Sequence, residues 1–393
     1  MKDLKIIFSR DIFRRYFISC SLAYIGINIG LIGINWYIID STQSNAFLAN
    51  YSIVTILTTI LSSLFIGTLV DKINKSFLMK ISCVFQAILV YGIFYIVNQN
   101  NNFTLIYGMA IVNSIGLALF GTASRSILTD IIDDKKLIIS GNSILEVCMQ
   151  IGAILAAGVT GILYDHLGIA VIINIMTISL VCSALVMKKT NSTKSNNRSV
   201  TGKGFSIATK SNIFCIGLIS FMPYIVTLLS NNVLPGYVGI HLDAPSSIYG
   251  ISDMLYGIGA LVAGLLIGTL NRIIHNNIEM KMFSLSFVIL MLLYINDNMY
   301  FLFLLYFMFG LFNTSLKIIM NTIFMEFVPA AVYGRYYSLM NSIASVIQMG
   351  ILSVLGYVLD LYGSALGYAI LAMIMIIDGI IFKLIQKHIA NPK

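Results

Sequence analysis

The sequence predicts an all-α integral membrane protein with twelve transmembrane helices in two six-helix halves. Composition is the first support, because 58% of the residues are hydrophobic and only 10% are charged. The mean hydropathy of +0.90 is the second. So few charges cannot cover the surface of a soluble protein of 393 residues, so most of the surface is expected to contact lipid.

The apolar segments have the length of membrane spans. A helix needs about 20 apolar residues to cross the hydrocarbon core of a bilayer. Segments of that length lie at 16–39, 46–70, 77–97, 103–124, 139–163, 168–187, 211–234, 247–270, 278–296, 299–325, 337–359 and 364–385. Short loops join them, and the first segment is too long for a cleavable signal peptide.

One polar segment interrupts this pattern. Residues 188–210 are basic and rich in Ser, Thr, Asn and Gly, which is typical of a flexible connector. We therefore expect an amino-terminal six-helix bundle at 1–187, a cytoplasmic linker at 188–210 and a carboxy-terminal bundle at 211–393.

The placement of the basic residues predicts the orientation. If the amino terminus is cytoplasmic, Lys and Arg fall in the inner loops and at both termini, as the positive-inside rule requires. The outer loops then carry acidic residues: Asp40, Asp165, Asp243, Asp297 and Asp360. The net charge of +8 reflects this topology and contact with anionic lipid, so nucleic-acid binding is not expected. Of the 24 basic residues, only Lys317 is not assigned to the cytoplasmic side, and it falls within the tenth span.

Several short segments recur about 200 residues apart, which indicates an internal duplication. GTLVDKI at 67–73 corresponds to GTLNRII at 268–274, and NSI occurs at both 142–144 and 341–343. GILYDHLG at 161–168 similarly corresponds to GYVLDLYG at 356–363.

The loop after the second span carries a recognisable pattern. Gly67, Leu69, Asp71, Lys72 and Lys75 resemble the signature loop of the major facilitator superfamily. The two six-helix halves with a basic central linker resemble this superfamily over the whole chain. Asparagine stands at position 74 in place of the expected glycine and tolerates the same left-handed turn.

The resemblance implies a cytoplasmic gate that includes Gly67. In the superfamily the loop aspartate faces the amino-terminal end of a helix in the other half, where unpaired amide groups favour an anion. Asp71 would therefore face the start of helix 11, at 334–337. Lys72 or Lys75 could pair with Asp130, and the nearby Arg125 would belong to the same gate. The alternative is that these residues only set the topology.

Ionisable residues inside spans point to the mechanism, because a charge at the bilayer centre is costly. Glu146, about two turns into helix 5, is the first candidate for a buried, protonatable group, and Asp253 in helix 8 is the second. Lys317 in helix 10 could take part in proton coupling or could simply neutralise one of these acids. Asp378 in helix 12 is not assigned a role.

The same superfamily lines its cavity with the first and fourth helices of each half. This implies four asparagines as substrate contacts: Asn28, Asn35, Asn113 and Asn313. Each could equally form a hydrogen bond between helices.

No enzyme or cofactor motif is found. The five cysteines lack CxxC spacing and the four histidines are dispersed, so neither a metal site nor a cofactor is expected. Phosphate-loop, nucleophile-elbow and HExxH patterns do not occur.

The function is predicted from a narrower resemblance. The segment from Arg125 to Asp130, followed by KKLIISGNSI, resembles bacterial drug exporters of the macrolide-efflux type, a group that also contains siderophore exporters. We expect a monomeric, proton-coupled antiporter in the bacterial cytoplasmic membrane, with both termini cytoplasmic. It would export small amphipathic compounds, as in multidrug resistance.

Two other functions remain open: export of a siderophore or metabolite, and import of a nutrient. A polycarboxylate siderophore should prefer Lys317, whereas a cationic drug should prefer Glu146 and Asp253.

Overall fold

The structure is a computed structural model that describes residues 11–100, 102–131, 135–188, 211–273, 277–328 and 332–390. Most of these residues are α-helical and none of them forms a β-strand. The central linker expected at 188–210 lies outside the described residues except for its first residue. The all-α fold class is therefore confirmed.

The helices are numbered α1 to α12 in chain order. They are α1 (Asp11–Thr42), α2 (Asn45–Lys72), α3 (Lys75–Asn100), α4 (Ile106–Ile131), α5 and α6 (together Lys135–Val186), α7 (Ser211–Gly236), α8 (Ser246–Ile273), α9 (Ile278–Tyr294), α10 (Met299–Phe327), α11 (Tyr333–Tyr362) and α12 (Leu366–Ala390). A 3-10 turn, Phe103–Leu105, precedes α4, and a π-helical turn, Tyr237–His241, follows α7.

A single glycine separates α5 from α6. The segment Lys135–Val186 has 52 residues, and Gly168 within it adopts φ 71° and ψ −179°, which a residue with a side chain rarely reaches. A straight helix of that length would extend about 78 Å, more than twice the thickness of a hydrocarbon core of about 30 Å. We therefore treat the segment as two spans that meet at Gly168.

The second half has an equivalent glycine at the end of a helix. Gly363, which corresponds to Gly168 in the internal duplication, has φ 96° and ends α11. Among the described glycines these two are the only ones with positive φ. The duplicated sequence therefore encodes the same backbone reversal in both halves.

Ten segments among the described residues are long and apolar enough to cross a membrane. One of the ten is Gly141–Val186, which Gly168 divides, and α9 falls just outside the set with 17 residues. The helical segments thus agree with the predicted layout, while the count of twelve complete spans stays a prediction.

The chain divides into two compact units. Unit 1 extends to Tyr37 and resumes at Tyr51, and unit 2 contains Ile38–Asn50 and the described residues after Ser199. The boundary differs from the predicted halves at Ile38–Asn50, which we call the α1–α2 tip. This tip includes the end of α1 and the start of α2, yet it groups with α7 to α12.

Small residues bring α1 and α6 together in unit 1. A Cβ atom at Gly26 would lie 2.8 Å from the Ser179 Cβ atom, and a Cβ atom at Gly30 would overlap Met176. About two turns before Gly26, the Ser19 and Ser183 side chains form a buried hydrogen bond of 2.9 Å. In lipid, such close backbone approach replaces the hydrophobic effect as the force that joins helices.

Glycines perform the same task between α8 and α10 in unit 2. A Cβ atom at Gly259 would overlap the Phe307 carbonyl oxygen, and one at Gly310 would overlap the Tyr256 carbonyl oxygen. The two backbones are therefore in direct contact. This contact fixes which side chains of α8 and α10 meet one turn further along.

Candidate transport site

A cluster of four polar side chains lies between α7, α8 and α10. We call Thr227, Tyr256, Asn313 and Lys317 the polar cluster of unit 2. Asn313 Nδ2 donates a hydrogen bond to Thr227 Oγ1 at 2.8 Å, and Lys317 Nζ donates one to the Tyr256 hydroxyl at 3.3 Å. The Thr227 and Tyr256 hydroxyl groups are 3.1 Å apart. The four side chains therefore form one connected network.

The helix packing explains why these residues meet. Gly310 allows α10 to lie against the backbone of Tyr256, and Asn313 and Lys317 follow at three and seven residues, on the same face of α10. On α7, Thr227 donates to the Pro223 carbonyl oxygen at 3.0 Å, so its oxygen accepts from the other side chains.

Lys317 has no carboxylate partner within the described part of the chain. Within the described residues, no Asp or Glu oxygen lies within 4.0 Å of its ammonium group. Its cation also lies 5.7 Å from the centroid of the Tyr256 ring, a favourable but weaker interaction than an ion pair. Neutralisation of Glu146 or Asp253 by Lys317 stays a prediction, without an ion pair of this kind among the described residues.

Asp253 lies one helical turn before Tyr256 on α8. Residues three apart on a helix share a face, so Asp253 is directed to the same side as the polar cluster. The Asp253 and Lys317 side chains are both partly exposed. Asp253 thus places a carboxyl on the same face of α8 as Tyr256.

Asn313 is the most deeply buried of the four asparagines predicted to contact substrate. It is fully buried, and its Oδ1 atom has no hydrogen-bond partner within the part of the chain that the structure describes. An unpaired buried amide oxygen is costly unless another group satisfies it at some stage.

The other three asparagines belong to unit 1 and are partly buried. Asn28 donates from Nδ2 to the Tyr24 carbonyl oxygen on its own helix at 2.7 Å. Asn113 on α4 has a buried Oδ1 atom without a partner in the described residues, and Asn35 lies on α1. Their role as cavity residues stays a prediction.

The expected contact between Lys75 and Asp130 is present in unit 1. Lys75 Nζ lies 2.9 Å from Asp130 Oδ1, and the two side chains are 9% and 7% exposed. The same ammonium donates to the Ser126 carbonyl oxygen at 3.1 Å. This pair ties the start of α3 to the end of α4.

The remaining residues of the predicted gate are exposed. Asp71 and Lys72 are exposed at the end of α2, and a Cβ atom at Gly67 would meet nothing within 4 Å. The contact expected between Asp71 and the start of helix 11 would join the two units and stays a prediction.

The expected burial of Glu146 is wrong. Its side chain is 48% exposed and lies 3.2 Å from Arg125 Nη2, which is itself 58% exposed. The pair joins α4 to α5, with Arg125 in the last two turns of α4. A carboxylate there can remain charged beside a guanidinium group.

Three residues of interest were missed by the sequence reasoning. Tyr256 and Thr227 complete the polar cluster, and Gln86 on α3 is fully buried with both amide atoms unpaired in the described residues. Gly116 makes room for Gln86, because a Cβ atom there would overlap its amide. The spacing of Asp253 and Tyr256, at i and i+3, was the one available signal for the cluster.

Metal-ligand groups are not found in the described residues. No set of three or more His, Cys, Asp or Glu side chains there could hold a metal ion. The four described cysteines are free: Cys20, Cys83, Cys182 and Cys215.

One curated relative matches nearly the whole chain. The "Staphyloferrin A transporter" of Staphylococcus aureus (strain NCTC 8325 / PS 47) is 22% identical over 394 residues, which cover 95% of this chain and 96% of the relative.

Solved structures of transporters share the fold. A bacterial homologue of the iron transporter ferroportin, in an inward-facing state, has a TM-score of 0.68 at 14% identity and covers 93% of this chain and 98% of its own. A bacterial homologue of the human lysosomal transporter Spinster has a TM-score of 0.72 at 11% identity and covers 95% of this chain and 96% of its own.

A family model decides the assignment. The model described as Major Facilitator Superfamily matches residues 16–230, which is more than half of the chain. This match agrees with the helical fold and with the signature loop at 67–75. The chain therefore belongs to the Major Facilitator Superfamily of transporters.

Proposed function

We propose that this transporter exports small polycarboxylates of the siderophore type across a bacterial cytoplasmic membrane, by alternating access and in exchange for protons. The observation that carries this proposal is the ammonium group of Lys317, which lies within a span and has no carboxylate partner in the described residues. A charge in that position is costly unless a partner offsets it, and an anionic substrate is such a partner.

The polar cluster offers a carboxylate suitable donors. An ammonium group has three N–H donors, and only one contact of Lys317, to the Tyr256 hydroxyl, is a hydrogen bond among the described residues. The other donors could bind a substrate carboxylate, and the Tyr256 hydroxyl could rotate to donate a further bond. Charge-assisted hydrogen bonds of this kind are stronger than neutral ones.

The curated relative supports the same substrate class. The one named above is a transporter of staphyloferrin A, a siderophore, and it matches this chain from end to end. Export as the direction rests on the sequence resemblance to efflux proteins. The cytoplasmic termini, the cytoplasmic gate and function as a monomer belong to the same proposal.

Asp253 is our candidate for the proton-coupling group. It is the acid that shares a helix face with Tyr256, and it has no ion pair among the described residues, whereas Glu146 is paired with Arg125. A carboxyl that is shielded from water can bind a proton on one side of the membrane and release it on the other.

Export of amphipathic cations, as in drug efflux, is the second candidate function. The carboxyl of Asp253, which has no ion pair among the described residues, favours it, because an acid beside tyrosine and phenylalanine side chains could attract a cationic drug. Tyr256 and Phe309 form such an aromatic pair, with ring centroids 5.3 Å apart.

Transport into reconstituted vesicles separates the two functions. With an imposed pH gradient, wild-type protein should concentrate labelled staphyloferrin A and should not concentrate ethidium, a lipophilic cation. Lys317→Met should abolish the siderophore transport, while Lys281→Met, which changes an exposed lysine on α9, should not. Wild-type protein that concentrates ethidium but not the siderophore would contradict the proposal and support drug efflux.

The same vesicles test proton coupling. Asp253→Asn cannot bind a proton, so it should stop the pH gradient from driving accumulation while exchange of substrate down its own gradient persists. Glu146→Gln is the matched change at the ion-paired acid and should preserve coupling. If coupling is lost with Glu146→Gln and retained with Asp253→Asn, the role belongs to Glu146.

A further inference from the structure

The first turn of α2 is held by a carboxylate from α11. Asp360 Oδ1 accepts a hydrogen bond from the Asn45 backbone N–H at 2.6 Å, and Asp360 Oδ2 accepts one from the Ala46 backbone N–H at 3.2 Å. The Ser44 hydroxyl donates to Asp360 Oδ2 at 2.7 Å, and Asn45 Nδ2 donates to Oδ1 at 3.1 Å. One side chain thus serves four donors at a helix start.

A carboxylate suits this position at the start of a helix. The first N–H groups of a helix have no partner within the helix, and its dipole favours a negative charge at this end. Ser44 Oγ also accepts from the Phe47 backbone N–H at 3.1 Å, so Ser44 caps α2 in the usual way while its own proton is donated to Asp360.

Glycines bring the backbones together around the carboxylate. A Cβ atom at Gly356 on α11 would lie 2.7 Å from the Ala46 Cα atom, and one at Gly236, at the end of α7, would overlap the Asn45 amide. Asn45 Nδ2 also donates to Ser364 Oγ at 3.0 Å. The α1–α2 tip is therefore tightly seated on α7 and α11, which agrees with its membership of unit 2.

We propose that Asp360 is a latch that holds the α1–α2 tip against α11 on one side of the membrane and releases it during each transport cycle. The Asp360 side chain is exposed, so water can replace its hydrogen bonds when the tip separates. A contact of this kind is strong enough to bias a conformational equilibrium and weak enough to break repeatedly.

The latch and the predicted cytoplasmic gate involve opposite ends of the same two helices, α2 and α11. Asp71 lies in the last turn of α2 and is expected to face the start of α11, whereas Asp360 lies in the last turn of α11 and caps the start of α2. The two contacts would alternate, each closing one side of the protein. The inference rests on the alternating access of the proposed function but not on the identity of the substrate.

Distances between spin labels test the latch without any substrate. Labels are placed on cysteines at Ser41 in the tip and Leu361 on α11, both exposed, in protein whose native cysteines have been replaced. In reconstituted wild-type protein, double electron–electron resonance should show mainly a short distance. Asp360→Ala should lower the ratio of the short to the long distance by about three- to tenfold.

Two further variants and a control make the test specific. Asp360→Asn keeps an acceptor oxygen without the charge and should give an intermediate ratio. Gly356→Leu should separate the same surfaces sterically and shift the ratio in the same direction. Asp243→Asn, an exposed carboxyl in the α7–α8 loop, should leave the distances unchanged.

Unchanged distances in both Asp360→Ala and Gly356→Leu would overturn the proposal. The same holds for a lower melting temperature of Asp360→Ala with an unchanged distance ratio, since this result would make Asp360 a structural cap only. Failure to transport polycarboxylates would leave the distance shift intact, so it would contradict the proposed function and not the latch.

Discussion

Lys75 and Asp130 form an ion pair that is almost completely buried, with side chains 9% and 7% exposed. Removal of one partner leaves the other charge without compensation, so Lys75→Met or Asp130→Asn should lower the free energy of unfolding by about 3–5 kcal/mol. Thermal unfolding of the purified protein in detergent would measure this loss.

An exposed ion pair provides the control. Arg14 and Asp11 lie 3.4 Å apart with side chains about half exposed, so Arg14→Ala should change the unfolding midpoint little. A similar midpoint shift in Arg14→Ala and Lys75→Met would show that burial does not set the strength of the Lys75–Asp130 pair.

At the residue scale, the sequence predicts some contacts and not others. Asp130 was expected to pair with Lys72 or Lys75, because the family resemblance implies that all three belong to the cytoplasmic gate. The pair between Arg125 and Glu146 was not foreseen, because hydropathy does not show how far an acid lies from the end of its span. Tyr256 was missed, because its spacing from Asp253 does not show which helices pack against their shared face.

At the scale of the helices, glycines determine which helix pairs pack with their backbones in direct contact. Gly310→Ala would place a Cβ atom against the Tyr256 carbonyl oxygen, which requires α8 and α10 to move apart. We expect a loss of about 1–3 kcal/mol in unfolding free energy and weaker substrate binding, because the polar cluster would be disturbed.

Gly264→Ala on α8 is the matched control. A Cβ atom at Gly264 meets nothing within 4 Å, so alanine should be neutral or slightly stabilising there. Thermal unfolding and substrate binding of the two variants measure the effect, and equal behaviour would contradict the assigned role of Gly310.

Periodicity and length are sufficient to predict the helices, but not their neighbours. The segments predicted from hydropathy coincide closely with the observed helices, because a run of about 20 apolar residues is typical of a transmembrane helix. Gly168 and Gly363 end the duplicated motif, and the structure gives both of them a positive φ. Grouping of the α1–α2 tip with unit 2 depends on tertiary hydrogen bonds that no pattern in the sequence reveals.

Two observations at the scale of the whole molecule bear on its function: the family match and the lysine at position 317 within a span. Fold, signature loop and family model agree on a transporter of the Major Facilitator Superfamily. Substrate choice was left open by the sequence, because acids and a lysine both occur in spans. The structure pairs Glu146 with Arg125 and leaves Lys317 without an acid among the described residues, which favours an anionic substrate.

Binding of the siderophore probe by Lys317 variants tests this account most directly. Isothermal titration of purified protein should show that Lys317→Arg retains binding, that Lys281→Met binds like wild type, and that Lys317→Met binds at least about tenfold more weakly. Wild-type affinity in a folded Lys317→Met protein, or no binding by the wild-type protein itself, would contradict the claim that Lys317 recognises an anionic substrate.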